Sequence, residues 1–315
     1  MADDFRGARS PYYYHFNATN ANSAILDIII EGTTVYSLFK TGLVNNEANY
    51  EVSELIRDYI TIDYDGTLST TALSDYGANV RLELDLYSSD DATGGAVGQK
   101  ASNLDFYDGY SFFEDEDPTF SVDINKNLIS NTTIWLPENT TGGFYYTDAV
   151  HDVLLKAITT TDTEVYAGAG AVNIKRFPCS RYDAKKLVFV NRFGLPQELW
   201  FFGKTIESTK VVSDKYKSSN ITARGVYSKY EHQFNSFDVN GQTSYTLNSG
   251  FISEDYNEFM KELMLSEQVW LHIDNQVRPV NVKSTEVTYK TSLNDKLVEY
   301  SVQVEQANDL ISSMR

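Results

Sequence analysis

The segment from Asn79 to Tyr87 contains the run VRLELDLY, in which apolar and polar residues alternate strictly. Alternation with period two places every second side chain on the same face of an extended strand. One face of such a strand packs on a core and the other meets water. The pattern predicts a strand with one solvated face.

The aromatic content favours the same structure over much of the chain. Among 315 residues, 42% are hydrophobic, and 22 are Tyr and 17 are Phe. Aromatic and β-branched side chains lose rotamer freedom in helices but suit the pleated surface of a sheet. The length is sufficient for two cores of ordinary domain size. We therefore predict a mostly β fold with two β-sandwich-like domains and short amphipathic helices.

A small, polar, Gly-rich segment marks the predicted domain boundary. Ser88 to Asn103 reads SSDDATGGAVGQKASN, a composition typical of a flexible connection or a long exposed loop. We predict an N-terminal β-sandwich-like domain over 1–90 and a flexible connection over 91–103. A larger β-rich domain over 104–315 would end in a helix and a β-meander.

Two helices and several strands follow from local patterns. A helical apolar spacing within 50–60 predicts a short helix near Glu51, and a second helix is predicted over 254–265 with Ser253 as its N-cap. Strands are predicted over 12–16 and 24–31, with 33–39 as hairpin partner across Gly32. After the second helix, the predicted strands are VWLHI, RPVNVKS, TEVTYKT and KLVEYSVQVEQAND.

The run KKLVFVNRFGLPQELWFFGK predicts a hairpin with two apolar arms, Lys186 to Val190 and Glu198 to Gly203. Because apolar residues are consecutive in both arms, both faces should be covered. The cover is either the chain's own core or another subunit, where aromatic and Arg residues are enriched. The candidate interface residues are Lys185, Lys186, Phe189, Arg192, Phe193, Trp200, Phe201 and Phe202.

The main basic concentration of the chain lies around this hairpin. Its members are Lys175, Arg176, Arg181, Lys185 and Lys186, interrupted only by Asp183. In the subunit interpretation, this segment would meet an acidic surface of a partner.

The formal charge of -18, from 44 acidic and 26 basic residues, disfavours binding to phosphate backbones and anionic lipids. We expect no nucleic-acid partner. The first residues show neither the basic nor the apolar region of a secretion signal, and no apolar run approaches membrane-spanning length. The one cysteine, Cys179, can form neither an intramolecular disulfide nor a cysteine zinc site.

No catalytic or metal-binding motif is recognised. The acidic run LDFYDGYSFFEDEDPTF lacks the spacing of a calcium loop, so we interpret it as a solvated loop. The four histidines stand alone, and His272 within VWLHI is interpreted as a structural imidazole. We therefore predict no catalytic residue, no metal and no cofactor, and a protein that is not an enzyme.

Several segments together resemble virion proteins of tailed bacteriophages, in particular tail and baseplate structural proteins. They are SPYYYHF, YEVSELIRDYI, KKLVFVNRFGLPQELWFFGK, SEDYNEFMKELMLSEQVWL and LNDKLVEYSVQVEQANDL. The resemblance implies a protein made in the bacterial host cytoplasm and assembled into the virion tail. Its expected partners are copies of itself, as a homo-oligomer, and other phage tail proteins.

Two other classes of protein remain open. A receptor- or glycan-binding adhesin or fibre protein, also from a phage, would stack surface aromatics on sugar rings. A β-rich glycoside hydrolase would need two carboxylates close together in a cleft, and such partners meet in space rather than in sequence. A strongly shifted pKa in that cleft would support the hydrolase.

Overall fold

A computed structural model describes 4–17, 19–69, 76–92, 96–113, 120–168, 170–178, 181–221, 224–226, 229–284, 286 and 297–311. The predicted fold class is confirmed, because the chain is mostly β and its helices are short. Several sheets share apolar cores, an arrangement compatible with β-sandwich-like packing. The acidic residues 114–117 and most of the predicted strand TEVTYKT lie outside the described residues.

The chain divides into two compact units, each built from separate stretches of sequence. The first comprises Met1–Cys179, Val188–Trp200 and Asp255–Ser266, and the second comprises Ser180–Leu187, Phe201–Glu254 and Glu267–Arg315. This division differs from the predicted connection at 91–103. Residues 98–103 belong to a strand of the first unit, since strand pairing outweighs their small and polar composition.

The first unit begins with a five-stranded sheet of order β1-β7-β6-β3-β4. Strand β1 runs parallel to β7, and the other neighbours are antiparallel. The predicted hairpin across Gly32 is confirmed as β3 and β4. The strands are β1 Asp4–Gly7, β3 Ser23–Ile30, β4 Thr33–Thr41, β6 Gly77–Tyr87 and β7 Gly98–Tyr107.

A second layer of this unit covers one face of that sheet. It consists of the antiparallel pair β2 Tyr13–Asn17 and β5 Glu47–Glu51, a 3-10 turn at Val44–Asn46 and the helix α1 Ser53–Arg57. The alternation around Asn79–Tyr87 places Leu82 and Leu84 in the core between the layers. The first helix is shorter than predicted because residues 47–51 pair as a strand.

Two smaller sheets complete the strands of the first unit. One contains β9 Gly142–Thr147 and β10 Val153–Ile158. The other has the order β11-β12-β8, with β8 Thr133–Pro137, β11 Glu164–Ala167 and β12 Gly170–Phe177. The pair of β9 and β10 contributes Tyr145 and Val153 to one apolar cluster, and it shares a second cluster, around Leu136, with the other small sheet.

The predicted hairpin of apolar strands is present as β13 Lys185–Val190 and β14 Pro196–Phe201, which are hydrogen-bonded neighbours. The predicted second helix is α2 Tyr256–Leu265. It starts after Asp255, and Ser253 lies in a strand, so the predicted N-cap at Ser253 is wrong.

The turn between β13 and β14 is organised by the buried side chain of Asn191. Its amide group donates to the Leu128 carbonyl oxygen and to Gln197 Oε1, both at 2.9 Å. Its Oδ1 accepts from the backbone N–H groups of Phe193 at 3.0 Å and Leu195 at 3.3 Å. One side chain thus satisfies polar groups of the turn and fixes the turn to a second segment of the unit.

The second unit contains an antiparallel sheet of order β18-β19-β21-β16-β15. The expected meander is present in the described residues as β18, β19 and β21. The strands are β15 Ile206–Lys217, β16 Phe234–Asn248, β18 Val269–Ile273, β19 Gln276–Val282 and β21 Ser301–Gln306. A short pair, β17 Ile252–Ser253 and β20 Leu297–Val298, completes the unit.

Two glycines of the first unit allow a direct test of the turn after β13. Gly194 and Gly32 have nearly equal positive φ angles, +80° and +79°. A methyl group at Gly194 would lie 2.5 Å from the backbone N of Asp108, whereas one at Gly32 would meet nothing within 4 Å. The two positions therefore differ in crowding but not in backbone conformation.

We expect Gly32→Ala to lower the free energy of unfolding by about 1 kcal/mol, the usual cost of a left-handed backbone. Gly194→Ala should cost a further ~1–3 kcal/mol because the methyl group must displace backbone atoms. Chemical denaturation of both variants measures the difference. Equal costs for the two variants would contradict the close approach at Gly194.

Candidate assembly interface

The structure buries the aromatic residues of the candidate interface within the single chain. Phe189, Phe193, Phe201 and Phe202 are all buried. The remaining four candidates, Lys185, Lys186, Arg192 and Trp200, are half-buried. Of these, Trp200 packs against the apolar cluster around Leu136. The hairpin therefore supplies core in its middle and a few accessible groups at its edges.

The first basic residues of the neighbouring segment already have partners in the first unit. Lys175 Nζ lies 3.7 Å from Asp255 Oδ2 and 5.0 Å from the centre of the Trp135 ring. Arg176 donates from Nη1 to the Thr140 carbonyl oxygen at 2.5 Å. Both side chains hold surface loops of their own unit.

A buried carboxylate lies near this hairpin. Glu262 is only 1% exposed, and its Oε2 accepts from the Ser130 hydroxyl at 2.7 Å and from the Arg192 backbone N–H at 3.0 Å. Burial raises the pKa of Glu262, although these two hydrogen bonds oppose the shift. Because protein groups enclose the carboxylate, it is poorly placed to act on a substrate.

The buried state of Glu262 predicts a pH dependence of stability. The carboxyl of Glu262 keeps its proton to a higher pH in the folded chain than in the unfolded chain. In the pH interval above 4.5, the ordinary pKa of a glutamate, the native state therefore binds more protons. The free energy of unfolding should therefore fall as pH rises through that interval. In Glu262→Gln this fall should be absent, as measured by urea denaturation at several pH values.

Glu138→Gln, at an exposed position of the same unit, controls for the loss of one negative charge. This control should keep the pH dependence of the unchanged protein. Parallel pH profiles for Glu262→Gln and the unchanged chain would contradict the assignment.

His272 lies in β18 of the second unit. Burial, with a smaller contribution from the charge of Lys186, lowers the pKa of His272 to about 4. The imidazole is therefore neutral at neutral pH. This protonation state agrees with the structural role expected from the sequence.

The main accessible feature is a two-stranded arm that the sequence analysis did not predict. Near its base, residues 244–246 of β16 pair with both β15 and β21, and residues 247–248 pair with β21. Beyond the base, residues 209–217 of β15 pair with 234–243 of β16, and we call these two segments the arm. The 12 residues of β15 correspond to about 40 Å of extended chain.

Both faces of the arm are largely exposed. Every residue of β15 except Ser213 is exposed, and in the arm's part of β16 residues 234 and 236–239 are exposed, whereas Gly241 and Thr243 at the base are buried. The large apolar side chains of the arm are between 43% and 63% exposed, and they are Val211, Val212, Tyr216, Phe234, Phe237 and Val239. This concentration of exposed large apolar side chains in one ribbon makes the arm a candidate binding surface.

The arm has internal features that order it. The rings of Tyr216 and Phe237 are in contact across the strands, with centroids 5.8 Å apart. A β-bulge interrupts the pairing of β15 with β16 between residues Val212 and Asp214 of β15. Asp238, in the part of β16 opposite the bulge, has a positive φ of 51°. Such a bulge increases the local twist of the ribbon.

The arm and the loop at its end are basic in an acidic protein. Residues 209–243 contain five basic and three acidic residues, whereas the whole chain has a formal charge of -18. The basic residues are Lys210, Lys215, Lys217, Arg224 and Lys229.

A sequence signal for the arm exists but is weak. The run IESTKVVSDKYK is rich in β-branched residues, which favours a strand. Its charged and apolar residues fall on both faces, so the alternation that marks a half-buried strand is missing. A strand that packs on neither face has no such pattern.

Comparisons with protein-family models, with curated proteins and with solved structures found no match for this chain. Within the described ranges, no group of acidic, His or Cys side chains has an arrangement suited to a metal ion. None of the helices in that part of the chain has the length and apolarity needed to cross a bilayer.

Proposed function

We propose that the chain is a structural component of a bacteriophage tail or baseplate. It acts by assembling with copies of itself and with neighbouring tail proteins, and it reaches the virion tail from the bacterial host cytoplasm. The resemblance of its sequence segments to phage tail proteins supports the viral context. Binding between subunits, rather than catalysis, is the activity that this proposal assigns to it.

The observation that carries the assembly proposal is the exposed arm. A lone two-stranded hairpin is marginally stable in water, because it buries little apolar surface. This arm nevertheless keeps its apolar side chains exposed on both faces. Burial against another subunit would remove that surface from water at about 25 cal/mol per Å² of apolar area.

The arm is better suited to docking by its side chains than to open-ended strand pairing. Lysines and bulges on an edge strand suppress uncontrolled pairing with other chains. The edge strand β15 carries Lys210, Lys215 and Lys217, and the arm has a bulge near Val212. These features favour a defined contact with one partner surface.

Removal of the arm tests the proposal. Val211 and Gly241 are directly paired, so residues 212–240 can be replaced by an Asn-Gly turn between them. We expect the shortened chain to remain folded, because the removed residues are largely exposed. Self-association, measured by light scattering over a range of concentrations and by electron microscopy, should be lost.

A matched pair of substitutions controls for the loss of exposed aromatics. Phe234→Ser with Phe237→Ser removes one exposed aromatic from each face of the arm. Tyr13→Ser with Tyr166→Ser removes two exposed aromatics elsewhere. Only the first pair should weaken assembly. Undiminished assembly of the shortened chain would refute the role of the arm, and a wild-type chain that stays monomeric at every concentration would refute self-assembly.

A further inference from the structure

If the arm binds a second copy of the chain, as the proposed function requires, that copy must present a surface complementary to the arm. The arm carries both apolar and basic side chains, so its complement needs apolar and acidic ones. The outer face of the five-stranded sheet in the first unit has this composition. We name this surface the outer face, meaning the side of that sheet opposite its core.

The register of the sheet places the acidic side chains of the outer face close together. Asp27 of β3 lies directly opposite Glu83 of β6. Asp85 is two residues after Glu83 in β6, so its side chain lies on the same face. Asp105 of β7 follows on the same side. Arg81 is the basic residue among them, and it pairs with Glu83 at 2.5 Å. Four carboxylates against one guanidinium leave this face negative.

Other side chains hold these carboxylates in fixed positions. Ser37 donates to Asp27 at 2.5 Å, and Gln99 Nε2 donates to Asp85 at 2.8 Å. Their other acceptor positions can still receive hydrogen bonds from lysine side chains. Arg81, Glu83, Asp85 and Gln99 line a shallow cavity of about 290 Å³, which is open to a side chain from outside.

Apolar side chains lie beside the carboxylates. Ile25 and Phe39 are directly paired across β3 and β4, and Phe39 is 48% exposed. Strand β4 is also an edge of its sheet. The outer face therefore offers apolar side chains next to acidic ones, which matches the arm face that carries Phe234, Lys215 and Lys217.

We propose that the arm of one copy docks on the outer face of the first unit of a second copy. Lys215 and Lys217 of the arm would meet Glu83 and Asp85, and Phe234, which is paired with Lys217 and lies on the same face of the arm, would cover Ile25 and Phe39. Because the two surfaces are different, the contact is heterologous. Repetition of a heterologous contact gives a closed ring or an open filament.

Charge reversal with rescue tests this contact. In the variant Lys215→Glu with Lys217→Glu, the two new carboxylates would face Glu83 and Asp85, so four negative charges would meet in the contact. We expect the association constant to fall about tenfold or more at low salt. Glu83→Lys with Asp85→Lys should weaken assembly similarly. The chain carrying all four substitutions should recover association to within a few-fold of the unchanged protein, measured by sedimentation velocity.

Glu138→Lys with Glu164→Lys is the matched control, because both residues are exposed acids of the same unit. This control should not rescue the arm variant. Thermal unfolding of every variant establishes that each chain is folded. If a face variant fails to fold, Asp85→Asn replaces it, and the salt dependence of its association is compared with that of the unchanged chain.

Carbodiimide cross-linking gives a direct second measurement, since it joins only lysines and carboxylates already in contact. A mixture of isotopically light and heavy chains should yield mixed cross-linked peptides that join Lys215 or Lys217 to Glu83 or Asp85. Mixed pairs identify a contact between copies.

The outcomes separate the two proposals. If assembly is lost without the arm but the chain with all four substitutions does not recover it, docking on the outer face is overturned. The proposal of self-assembly through the arm then still stands. Cross-links found only within one chain also overturn it. A wild-type chain that remains monomeric at low and high salt overturns both, and the arm then belongs to a contact with a different protein.

Discussion

A buried network of hydrogen bonds holds together the separate stretches that form the first unit. Asn191 binds the Leu128 carbonyl oxygen and Gln197, and Glu262 binds the Ser130 hydroxyl and the Arg192 backbone. Three segments distant in sequence thus meet through hydrogen bonds that are buried or part-buried. Leaving any one of these groups unpaired would cost about 1–3 kcal/mol. The hairpin of β13 and β14 and the helix α2 take their positions in the first unit partly from this requirement.

The arm is stabilised differently from the rest of the chain. The five-stranded sheet packs one face on an apolar core, whereas both faces of the arm are largely exposed and the arm depends on cross-strand pairs such as Tyr216 with Phe237. Such a segment adds little to the stability of the monomer. Its lysines and exposed aromatics instead suit a contact whose energy comes from a second molecule. In the proposed assembly, this contact joins a basic arm to an acidic sheet.

Elements whose pattern reflects their own burial could be predicted from the sequence. The strand at Asn79–Tyr87, the hairpin across Gly32 and the helix ending at Leu265 all follow from local periodicity or turn chemistry. The division into units could not be predicted, because Val188–Trp200 and Asp255–Ser266 join the first unit through contacts distant in sequence. The aromatic hairpin was correctly recognised as covered on both sides, but its sequence does not distinguish a core from a subunit contact. The candidate site was missed, because a strand exposed on both faces carries no alternation.

The 15 residues of β16 form both one side of the arm and a central strand of the second unit. A force on the arm would therefore act directly on the sheet of that unit. Residues 244–246 are paired with β15 on one side and with β21 on the other, and residues 247–248 are paired with β21. A pull on the end of the arm along the strand axis would therefore load these ladders in shear, with several hydrogen bonds resisting at once. Ladders loaded in this direction break together rather than one by one. The strand would transmit tension from a neighbouring subunit directly into the sheet.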